Sequence, residues 1–292
     1  MITKRWLPLL LIALLLLVAC NPTTTTSTTP IPAGQGTLTV AFLDVGQGDS
    51  TLIRSPNGTI MLIDGGRSTD LADQVIIPQL RAWGADHVDV LIPTHPDSDH
   101  ISGLVGMLES YPVKLVAMTG QVHSTKIYER LLTDIRNKKI EALKVRVGTP
   151  IPFDPSVKIE VLNPDDAAVQ TEDTNNASVV IKLTYGQISF LLPGDAEMKA
   201  NQAMLDRGAD VRSTVLKLGH HGSRTSTTVD WLKQVSPQIG IISAGADNSY
   251  GHPHPEVIAA LKQLGIQYVR TDEHGTITIT TDGATTHVTS QR

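Results

Sequence analysis

The sequence predicts a single-domain α/β fold, and three observations lead to this prediction. Short runs of β-branched and other apolar residues, typical of strands, alternate with longer runs that have helical spacing. Almost every strand-like run ends at a cluster of glycine and polar residues, which is where a rigid sheet usually carries functional loops. No second linker and no short-period repeat follows residue 36, so one domain is the economical interpretation.

The first half of the predicted domain begins with two strands around a glycine-rich loop. Residues 37–43 alternate as a strand, break at the loop of residues 44–50, and resume a strand at 51–53. Pro56-Asn57-Gly58 then predicts a hairpin turn. The later predicted elements are strands at 59–63, 88–92 and 113–118 and helices at 71–83, 101–108 and 125–137.

The second half continues the same alternation, and its polar clusters again follow apolar runs. A hairpin is predicted around Tyr185-Gly186-Gln187, and a final hairpin around Asp282-Gly283. The predicted strands are 157–162, 179–184, 188–192, 215–218, 239–243, 276–280 and 286–289, and the last helix is 256–264.

The first 20 residues predict a secretory signal. Lys4 and Arg5 precede an apolar run of residues 9–19, which as a helix spans roughly 16 Å, about half of a bilayer core. The run ends in Leu17-Val18-Ala19-Cys20, which resembles a bacterial lipobox. That resemblance implies a lipid on Cys20 and an extracytoplasmic protein anchored to a bacterial membrane.

Residues 21–36 predict a tether, because a run of Thr, Pro, Ser and Gly cannot form a packed core. The globular domain is therefore assigned to residues 37–292. Cys20 is the only cysteine, which excludes an intramolecular disulfide and any cysteine ligand within the domain.

The charge balance argues against a broad surface that tracks nucleic acid phosphates. The formal net charge is −5, aromatic residues make up 4% of the chain, and no basic run is present. Loss of Lys4 and Arg5 with the signal makes the mature chain still more acidic. Local positive charge at a catalytic cleft remains compatible with this composition.

Four metal-ligating side chains stand within six residues directly after the predicted strand at 88–92. They are His95, Asp97, Asp99 and His100. Imidazole and carboxylate groups this close together can surround one metal ion or be divided between two. A purely structural explanation needs four solvated polar side chains between an apolar strand and an apolar helix, so the cluster favours metal binding.

This stretch resembles the HxHxDH signature of metallo-β-lactamase-fold enzymes, and further matches follow in the family's order. Asp64, before two glycines, matches the early motif aspartate, and Asp195 in Pro193-Gly194-Asp195 matches the metal-bridging aspartate. His220 or His221 matches the late metal-binding histidine. The resemblance implies a four-layer αββα sandwich and a hydrolase.

Within that family, the domain resembles the C-terminal hydrolase domain of the ComEC competence proteins. The resemblance covers essentially all of the chain from Leu38, and it implies that the membrane channel of such proteins is replaced here by a lipid anchor and tether. The motifs that carry it are residues 42–50 (FLDVGQGDS), 94–100 (THPDSDH), 194–197 (GDAE), 219–223 (GHHGS) and 250–255 (YGHPHP).

The resemblance also implies a centre of two divalent metal ions, zinc or manganese. One site would use His95, Asp97 and Asp195; the other would use Asp99, His100, Asp195 and either His220 or His221. With Asp97 in place of a histidine, the first site is rich in oxygen ligands, which suits manganese and leaves zinc open.

The third histidine of the family-wide ligand set has no clear counterpart. The only histidine between His100 and Asp195 is His123; no strand leads to it, so we expect a surface or substrate-side residue. The nearest replacement is the segment that contains Asn176 and Ser178, just before a strand.

Other residues are expected to act on the substrate or to order the loops. His252 and His254, in a proline-stiffened loop, could donate a proton to a leaving alkoxide or bracket the phosphate, and Asp99 is also assigned a catalytic role. The alternative is that the two histidines only pack the loop. Supporting or substrate-contacting roles are expected for Asp49, Ser50, Asp64, Asn176, Ser178, Ser223 and, beside them, Arg224.

The leading functional hypothesis is an extracytoplasmic phosphodiesterase or nuclease that uses two metal ions. Its expected partners are a phosphodiester substrate such as DNA and the membrane that holds its lipid; no protein partner is expected. Two alternatives stay open: hydrolysis of a lactone, a β-lactam or a cell-wall choline-phosphate ester, and a non-catalytic surface module on the same fold.

Overall fold

The computed structural model describes Met1 and residues 36–292 of the chain. The predicted signal at 1–20, the lipidation of Cys20 and nearly all of the tether at 21–36 therefore lie outside the described residues. In the part that is described, no helix combines the length and apolar character that crossing a membrane requires.

Fourteen strands form two sheets in the described chain, one at each side of a shared core. In chain order the strands are β1 (Leu38–Phe42), β2 (Thr51–Arg54), β3 (Ile60–Ile63), β4 (Val88–Ile92), β5 (Val113–Met118), β6 (Glu141–Lys144), β7 (Lys158–Asn163), β8 (Val180–Tyr185), β9 (Ile188–Leu192), β10 (Val215–Lys217), β11 (Ile239–Ile242), β12 (Gln267–Arg270), β13 (Ile277–Thr281) and β14 (Thr286–Ser290). The first sheet has the order β14-β13-β1-β2-β3-β4-β5-β6, and the second has the order β12-β11-β10-β9-β8-β7.

Helices cover the outer face of each sheet. In chain order they are α1 (Ile77–Ala82), α2 (Ser98–Ser110), α3 (Lys126–Asn137), α4 (Met198–Asp206), α5 (Val229–Val235), α6 (Pro255–Gln263) and the short α7 (Thr271–His274). A π-helical turn, Ala72–Ile76, runs directly into α1.

Three hydrophobic clusters separate the layers and confirm the αββα sandwich. The middle cluster joins the inner faces of both sheets, with Phe42 and Phe190 as its largest fully buried side chains. A second cluster packs α1, α2 and α3 on the first sheet, and a third packs α4, α5 and α6 on the second. The buried residues of the described chain all lie at or after Leu38, so a protein lacking residues 1–36 retains this core.

The parallel parts of the two sheets bring several polar loops to one edge. β3 and β4 are parallel in the first sheet, and β9, β10 and β11 are parallel in the second. Because parallel strands end on the same side, the loops after them lie next to each other. Those loops carry Asp64, His95, Asp195 and His221.

The close approach of α2 to the loop after β3 requires glycine. A Cβ atom on Gly103 would lie 1.9 Å from the carbonyl oxygen of Gly65. The backbone of this loop in turn hydrogen-bonds to α2, with Gly65 N–H donating to the carbonyl of His100 at 2.7 Å. The contact therefore fixes the start of α2 against the strand ends.

The structure corrects several predicted elements. The helix predicted at 101–108 already begins at Ser98, so Asp99 and His100 lie in its first turn and not in a loop. The predicted helix at 71–83 is divided into a π turn and α1. The strands β6 and β12 and the helices α4, α5 and α7 were given no predicted bounds. The other predicted strands are confirmed with small shifts of their ends.

Candidate metal centre

Buried imidazole and carboxylate groups converge at the edge where the strands end. His100 Nε2 lies 3.2 Å from Asp195 Oδ2, and His221 Nε2 lies 3.4 Å from the same oxygen. The rings of His95 and His100 have centroids 4.1 Å apart. Four compact groups result within the described residues, and two of them make up the centre: His95, His100 and Asp195, and Asp99, His100 and His221. The other two include Asp49, together with Asp64 and His100 or with Asp195 and His221.

Asp99 faces this cluster from the first turn of α2. Its Oδ2 lies 3.4 Å from His221 Nε2, and its side chain is 30% exposed. Although burial favours the protonated acid, the nearby imidazole of His221 and the charge of His100 lower the pKa of Asp99 well below its ordinary value. Asp99 is therefore a partly accessible carboxylate at the open side of the cluster.

The donor atoms at the centre have the character expected of a metal site. His95 Nε2, His100 Nε2, His221 Nε2 and Asp195 Oδ1 are all buried and make no hydrogen bond within the described chain. Buried polar atoms are normally satisfied, so several such atoms facing each other indicate a missing partner. Nitrogen and carboxylate donors suit a divalent cation, and the residues fit one.

Asp64 orients His100 and the start of the motif loop. Its carboxylate accepts hydrogen bonds from the backbone N–H and the hydroxyl of Thr94, both at 2.8 Å, and contacts Nδ1 of His100 at 2.8 Å. A carboxylate on Nδ1 directs Nε2 of the ring toward the cluster, which is the usual arrangement around metal-ligating histidines. This position agrees with the supporting role expected for Asp64.

A second set of contacts orients His221. Its Nδ1 lies 3.1 Å from the carbonyl oxygen of Ser243 and 3.3 Å from Asp49 Oδ1. Asp49 in turn forms a buried ion pair with Lys217, whose ammonium also donates to the carbonyl of Gly194 at 3.3 Å. His100 and His221 are thus each contacted at Nδ1 by a buried carboxylate.

The charges of the cluster stabilise one another. Burial lowers the pKa of His100 and His221, but the carboxylates around them outweigh burial and raise both values well above the ordinary one. Burial raises the pKa of Asp195, but the same histidines outweigh burial and hold that pKa well below its usual range. His95 differs, because burial and the charge of His100 lower its pKa.

His220 and His221 differ in their relation to the centre. The side chain of His221 is 1% exposed, whereas that of His220 is 26% exposed and its Nε2 lies 3.8 Å from Asp195 Oδ2. His220 Nδ1 contacts Glu197 Oε1 at 2.9 Å. Of the two histidines that the sequence left as alternatives, His221 lies within the cluster and His220 lies at its edge.

The backbone is strained at the residues that hold the cluster. Asp64, His220 and His221 all have φ between 46° and 58°, a left-handed conformation that costs free energy for residues other than glycine. Such conformations persist only where the surrounding structure imposes them, and they are concentrated at functional sites.

Asp97 lies further out than the predicted ligand set implies. Its Oδ2 is 3.9 Å from His95 Nε2, its Oδ1 accepts a hydrogen bond from Thr174, and its side chain is 40% exposed. The compact group around His95 is completed by His100 and Asp195 instead. Asp97 is therefore placed beside the first site, at its solvent-exposed edge.

Asn176 does not take the place of the missing histidine. Its Oδ1 accepts hydrogen bonds from the backbone N–H groups of Glu197 and Ala200 at the start of α4, and its Nδ2 donates to Asp173. Ser178 accepts a hydrogen bond from the backbone N–H of Asp195 at 3.3 Å. In the described structure Asn176 therefore holds the start of α4, and Ser178 contacts the Asp195 loop.

His252 and His254 lie beside the cluster, next to His220 and His221. The ring of His252 has its centroid 5.4 Å from that of His220 and 6.1 Å from that of His221. Burial and the surrounding histidines lower the pKa of His252 to about 4. His254 Nδ1 accepts a hydrogen bond from the backbone N–H of Arg224 at 3.1 Å, so the neutral His254 ring carries its proton on Nε2.

The remaining predicted residues have no described contact with the ligand atoms of the cluster. Ser50 is fully buried, and its hydroxyl makes no hydrogen bond within the described chain. The Ser223 hydroxyl contacts Thr225 and orders the loop. Arg224 is exposed and lies 3.6 Å from Glu256. His123 is partly exposed and contacts Thr125, away from the cluster.

Lys217 and Glu197 were not assigned from the sequence. Lys217 follows Val215 and Leu216 in a buried strand that leads directly to the two histidines, and a charge in such a strand is normally paired. A lysine in a buried strand was therefore the sequence signal that could have indicated a buried ion pair at this position. Glu197 stands in the motif that contains Asp195, and it accepts hydrogen bonds from His220 and Thr225.

The fold and this site define a class of protein. The sequence pattern of the Metallo-beta-lactamase superfamily matches residues 43–246, and the chain belongs to that superfamily. Proteins of this fold bind divalent metal ions, and the described residues contain candidate sites made of His and Asp.

Three of the curated relatives are named as ComE-operon, competence or recombination proteins. The chain is 34% identical to ComE operon protein 3 of Bacillus subtilis over 254 residues, which are 82% of this chain and 32% of that protein. It is 29% identical to competence protein ComA of Neisseria gonorrhoeae (85% of this chain, 32% of that protein) and 34% identical to recombination protein 2 of Haemophilus influenzae (76% and 26%). The chain thus spans about a third or less of these relatives, and the resemblance to ComEC-type proteins is confirmed.

A solved structure supports the fold alone. CmlA, a diiron β-hydroxylase from Streptomyces venezuelae, superimposes with a TM-score of 0.56 at 14% identity, covering 86% of this chain and 55% of that one.

Proposed function

We propose that this chain is a metal-dependent phosphodiesterase that cleaves nucleic acid outside the cytoplasm. The observation that carries the proposal is the set of buried, unpartnered donor atoms of His95, His100, Asp195 and His221 that face one another. The carboxylates Asp99 and Asp195 add the oxygen donors typical of phosphoester chemistry. One relative is named for recombination, a process of nucleic acids, which supports a nucleic acid substrate.

The residues of the chain divide into holding and reacting groups. His95, His100, Asp195, His221 and Asp99 would hold divalent cations, which would supply Lewis-acid stabilisation of the charge on a phosphoryl group. Asp64 and Asp49 keep the imidazoles of His100 and His221 in position through their Nδ1 atoms.

The two histidines of the YGHPHP motif would act on the leaving group. With its proton on Nε2, the neutral ring of His254 can donate a hydrogen bond to a departing oxygen. His252 lies between His254 and the cluster, 4.8 Å from His254 between ring centroids. We propose that His252 contacts the phosphate and that His254 assists the leaving oxygen.

We further propose that the protein is an extracytoplasmic lipoprotein held by a lipid on Cys20. The support is the sequence of residues 1–36 alone: a basic start, a short apolar run, a lipobox-like end and a Thr- and Pro-rich tether. Expression of the full chain and of Cys20→Ser in a bacterium should give a membrane-bound and a released protein, respectively. Equal membrane retention of both proteins would contradict lipidation at Cys20.

The activity is tested with purified protein that lacks residues 1–36. This protein should hydrolyse bis-p-nitrophenyl phosphate and DNA when Mn²⁺ or Zn²⁺ is added, and chelation should abolish both activities. His95→Ala and Asp195→Ala should each lower the rate by at least about 100-fold, while the exposed controls His287→Ala and Asp70→Ala should retain it.

Three results would contradict the proposal. Undiminished phosphodiester cleavage by His95→Ala and Asp195→Ala would place the activity elsewhere. Turnover of a lactone, a β-lactam or a choline-phosphate ester without cleavage of any nucleic acid would assign another ester class, and stoichiometric metal binding without turnover would indicate a binding module.

A further inference from the structure

A polar groove runs along the surface from the YGHPHP loop. It encloses about 530 Å³ and lies between the glycine-rich loop after β1 and the loop after β11. The two loops meet where Gly245 N–H donates to Gln47 Oε1 at 3.2 Å. Its walls include Gln47, Arg67, Asn248, Tyr250 and Arg292.

Tyr250 joins this groove to the candidate metal centre. Its side chain is 63% exposed, and its ring stacks on that of His252 with centroids 5.7 Å apart and planes inclined by 19°. The ring of His252 in turn contacts His220 and His221. The solvent-exposed face of Tyr250 is therefore separated from His220 and His221 by the ring of His252.

The loop that presents Tyr250 is fixed by Asn248. The Oδ1 atom of Asn248 accepts hydrogen bonds from the backbone N–H groups of Tyr250 and His252, and its Nδ2 donates to the carbonyls of Gly245 and His252. A side chain that closes such a network on both sides holds the loop in one conformation. The exposed ring is thus preorganised, which lowers the entropic cost of binding a ligand against it.

The charges of the groove favour a ligand that carries a negative charge near Arg67. Arg67 is exposed and forms no ion pair within residues 36–292, whereas Arg292 pairs with Asp44 at 2.8 Å and Asp272 pairs with Arg270. Asp247 is the acidic group on the wall without such a partner, and it disfavours a polyanion at its own position. Arg67 can therefore contact one phosphate, and the groove as a whole is not a broad cationic surface.

From this arrangement we infer that Tyr250 is a nucleobase-stacking subsite, with Arg67 contacting a phosphate of the same strand. This inference rests on the proposed function, and it adds the position of the nucleic acid strand on the protein surface. Every base has a π-face, so such a platform accepts any base, but only one that is not stacked in a duplex. The subsite therefore selects an unpaired base beside the reacting phosphate.

The experiment combines a protein variant with a ligand variant. Binding of a fluorescent oligothymidylate and of an abasic strand of equal length is measured by anisotropy, with the protein lacking residues 1–36 and with chelator present to prevent cleavage. Wild type should bind the base-containing strand more tightly. Tyr250→Ala should lose about 5- to 100-fold in affinity for that strand and little for the abasic one, and Tyr250→Phe should keep the preference.

The controls separate stacking from charge and from folding. Arg67→Gln should lower the affinity for both strands by the same factor, because a phosphate contact does not depend on the base. Two controls should leave the affinities for both strands unchanged. They are Leu132→Ala, at an exposed apolar residue of α3, and Lys233→Gln, on α5.

Equal affinity of wild type for the two strands, or an unaltered preference in Tyr250→Ala, would overturn the inference. Since cleavage is not measured, this outcome is independent of the phosphodiesterase assay. A protein that prefers the base-containing strand but cleaves no phosphodiester would retain the subsite and refute the proposed function.

Discussion

Lys217 reaches the carboxylate of Asp49 in an ion pair that is buried beside His221. Both side chains are less than 5% exposed. Burial raises the pKa of Asp49, but Lys217 and His221 outweigh that effect and lower it. The pair therefore keeps a charged acceptor in place for Nδ1 of His221.

Removal of Lys217 alone should strongly destabilise the protein. In Lys217→Met, Asp49 is left buried without its cation, and we expect the free energy of unfolding to fall by about 3–5 kcal/mol. Denaturant unfolding in the presence of chelator measures this change. The double variant Lys217→Met with Asp49→Asn removes both charges and should regain most of the loss.

Lys182 offers a matched control for this experiment. Its ammonium is buried in the same way, but its partner Asp210 is 72% exposed, so water solvates the carboxylate that remains in Lys182→Met. That variant should lose about 1 kcal/mol or less through its ion pair. Equal losses in the two lysine variants would show that the Asp49 pair has no special role.

The two adjacent histidines should differ in their effect on metal binding. His221 lies within the cluster, so His221→Ala should lower the affinity for Mn²⁺ or Zn²⁺ by more than the roughly 10- to 100-fold typical of residues outside the ligand set. His220→Ala should stay within that range. Competition with a chromogenic chelator measures both, and a larger effect at His220 would reverse the assignment.

Much of this site could be predicted because its residues follow strong apolar strands. Val88–Ile92 is buried and was predicted with its observed bounds, so the position of His95 at a strand end followed from the sequence. The two-sheet arrangement came from the family resemblance, because strand periodicity does not say which strands pair.

The elements that escaped prediction have weak local signals. β6, with the sequence EALK, is an edge strand whose residues are mostly exposed, so no apolar alternation marks it. Helix α2 begins three residues before its predicted start, because the polar run Ser98-Asp99-His100 has the composition of a loop. The available signal was Asp99, since acidic residues are favoured in the first turn of a helix. The Asp49 to Lys217 contact joins distant segments, which only the tertiary structure brings together.

The packing of α2 on the loop after β3 should not tolerate a methyl group. Gly103→Ala places a Cβ atom against the Gly65 carbonyl, and the required shift should cost about 1–3 kcal/mol of unfolding free energy. Because His100 lies in the first turn of the same helix, metal affinity should fall as well. Ser110→Ala at the exposed end of α2 is the control, and equal stability of the two variants would contradict the close contact.

Asp154 should give the stability a pH dependence that is independent of the metal cluster. Burial raises its pKa, but hydrogen bonds from Ser156 and from Asn57 outweigh burial and lower it. A depressed carboxyl pKa contributes stability above the unfolded value, about 3.9, and that contribution is lost as the pH falls through the folded value.

Asp154→Asn should therefore be less stable than wild type near neutral pH, by about 1–3 kcal/mol. The difference should shrink as the pH falls from about 6 to about 3. Unfolding of both proteins across this range measures the effect, with exposed Asp70→Asn as the control. A difference that does not depend on pH would show that the carboxylate charge is not involved.

The most direct measurement is a calorimetric titration of the metal-free protein lacking residues 1–36 with Mn²⁺ and with Zn²⁺. Wild type should bind at least one equivalent of cation, and Asp195→Asn, which alters the carboxylate between His100 and His221, should bind it much more weakly. No saturable binding by folded wild type, or equal binding by the two proteins, would contradict the claim that this buried cluster is a metal centre.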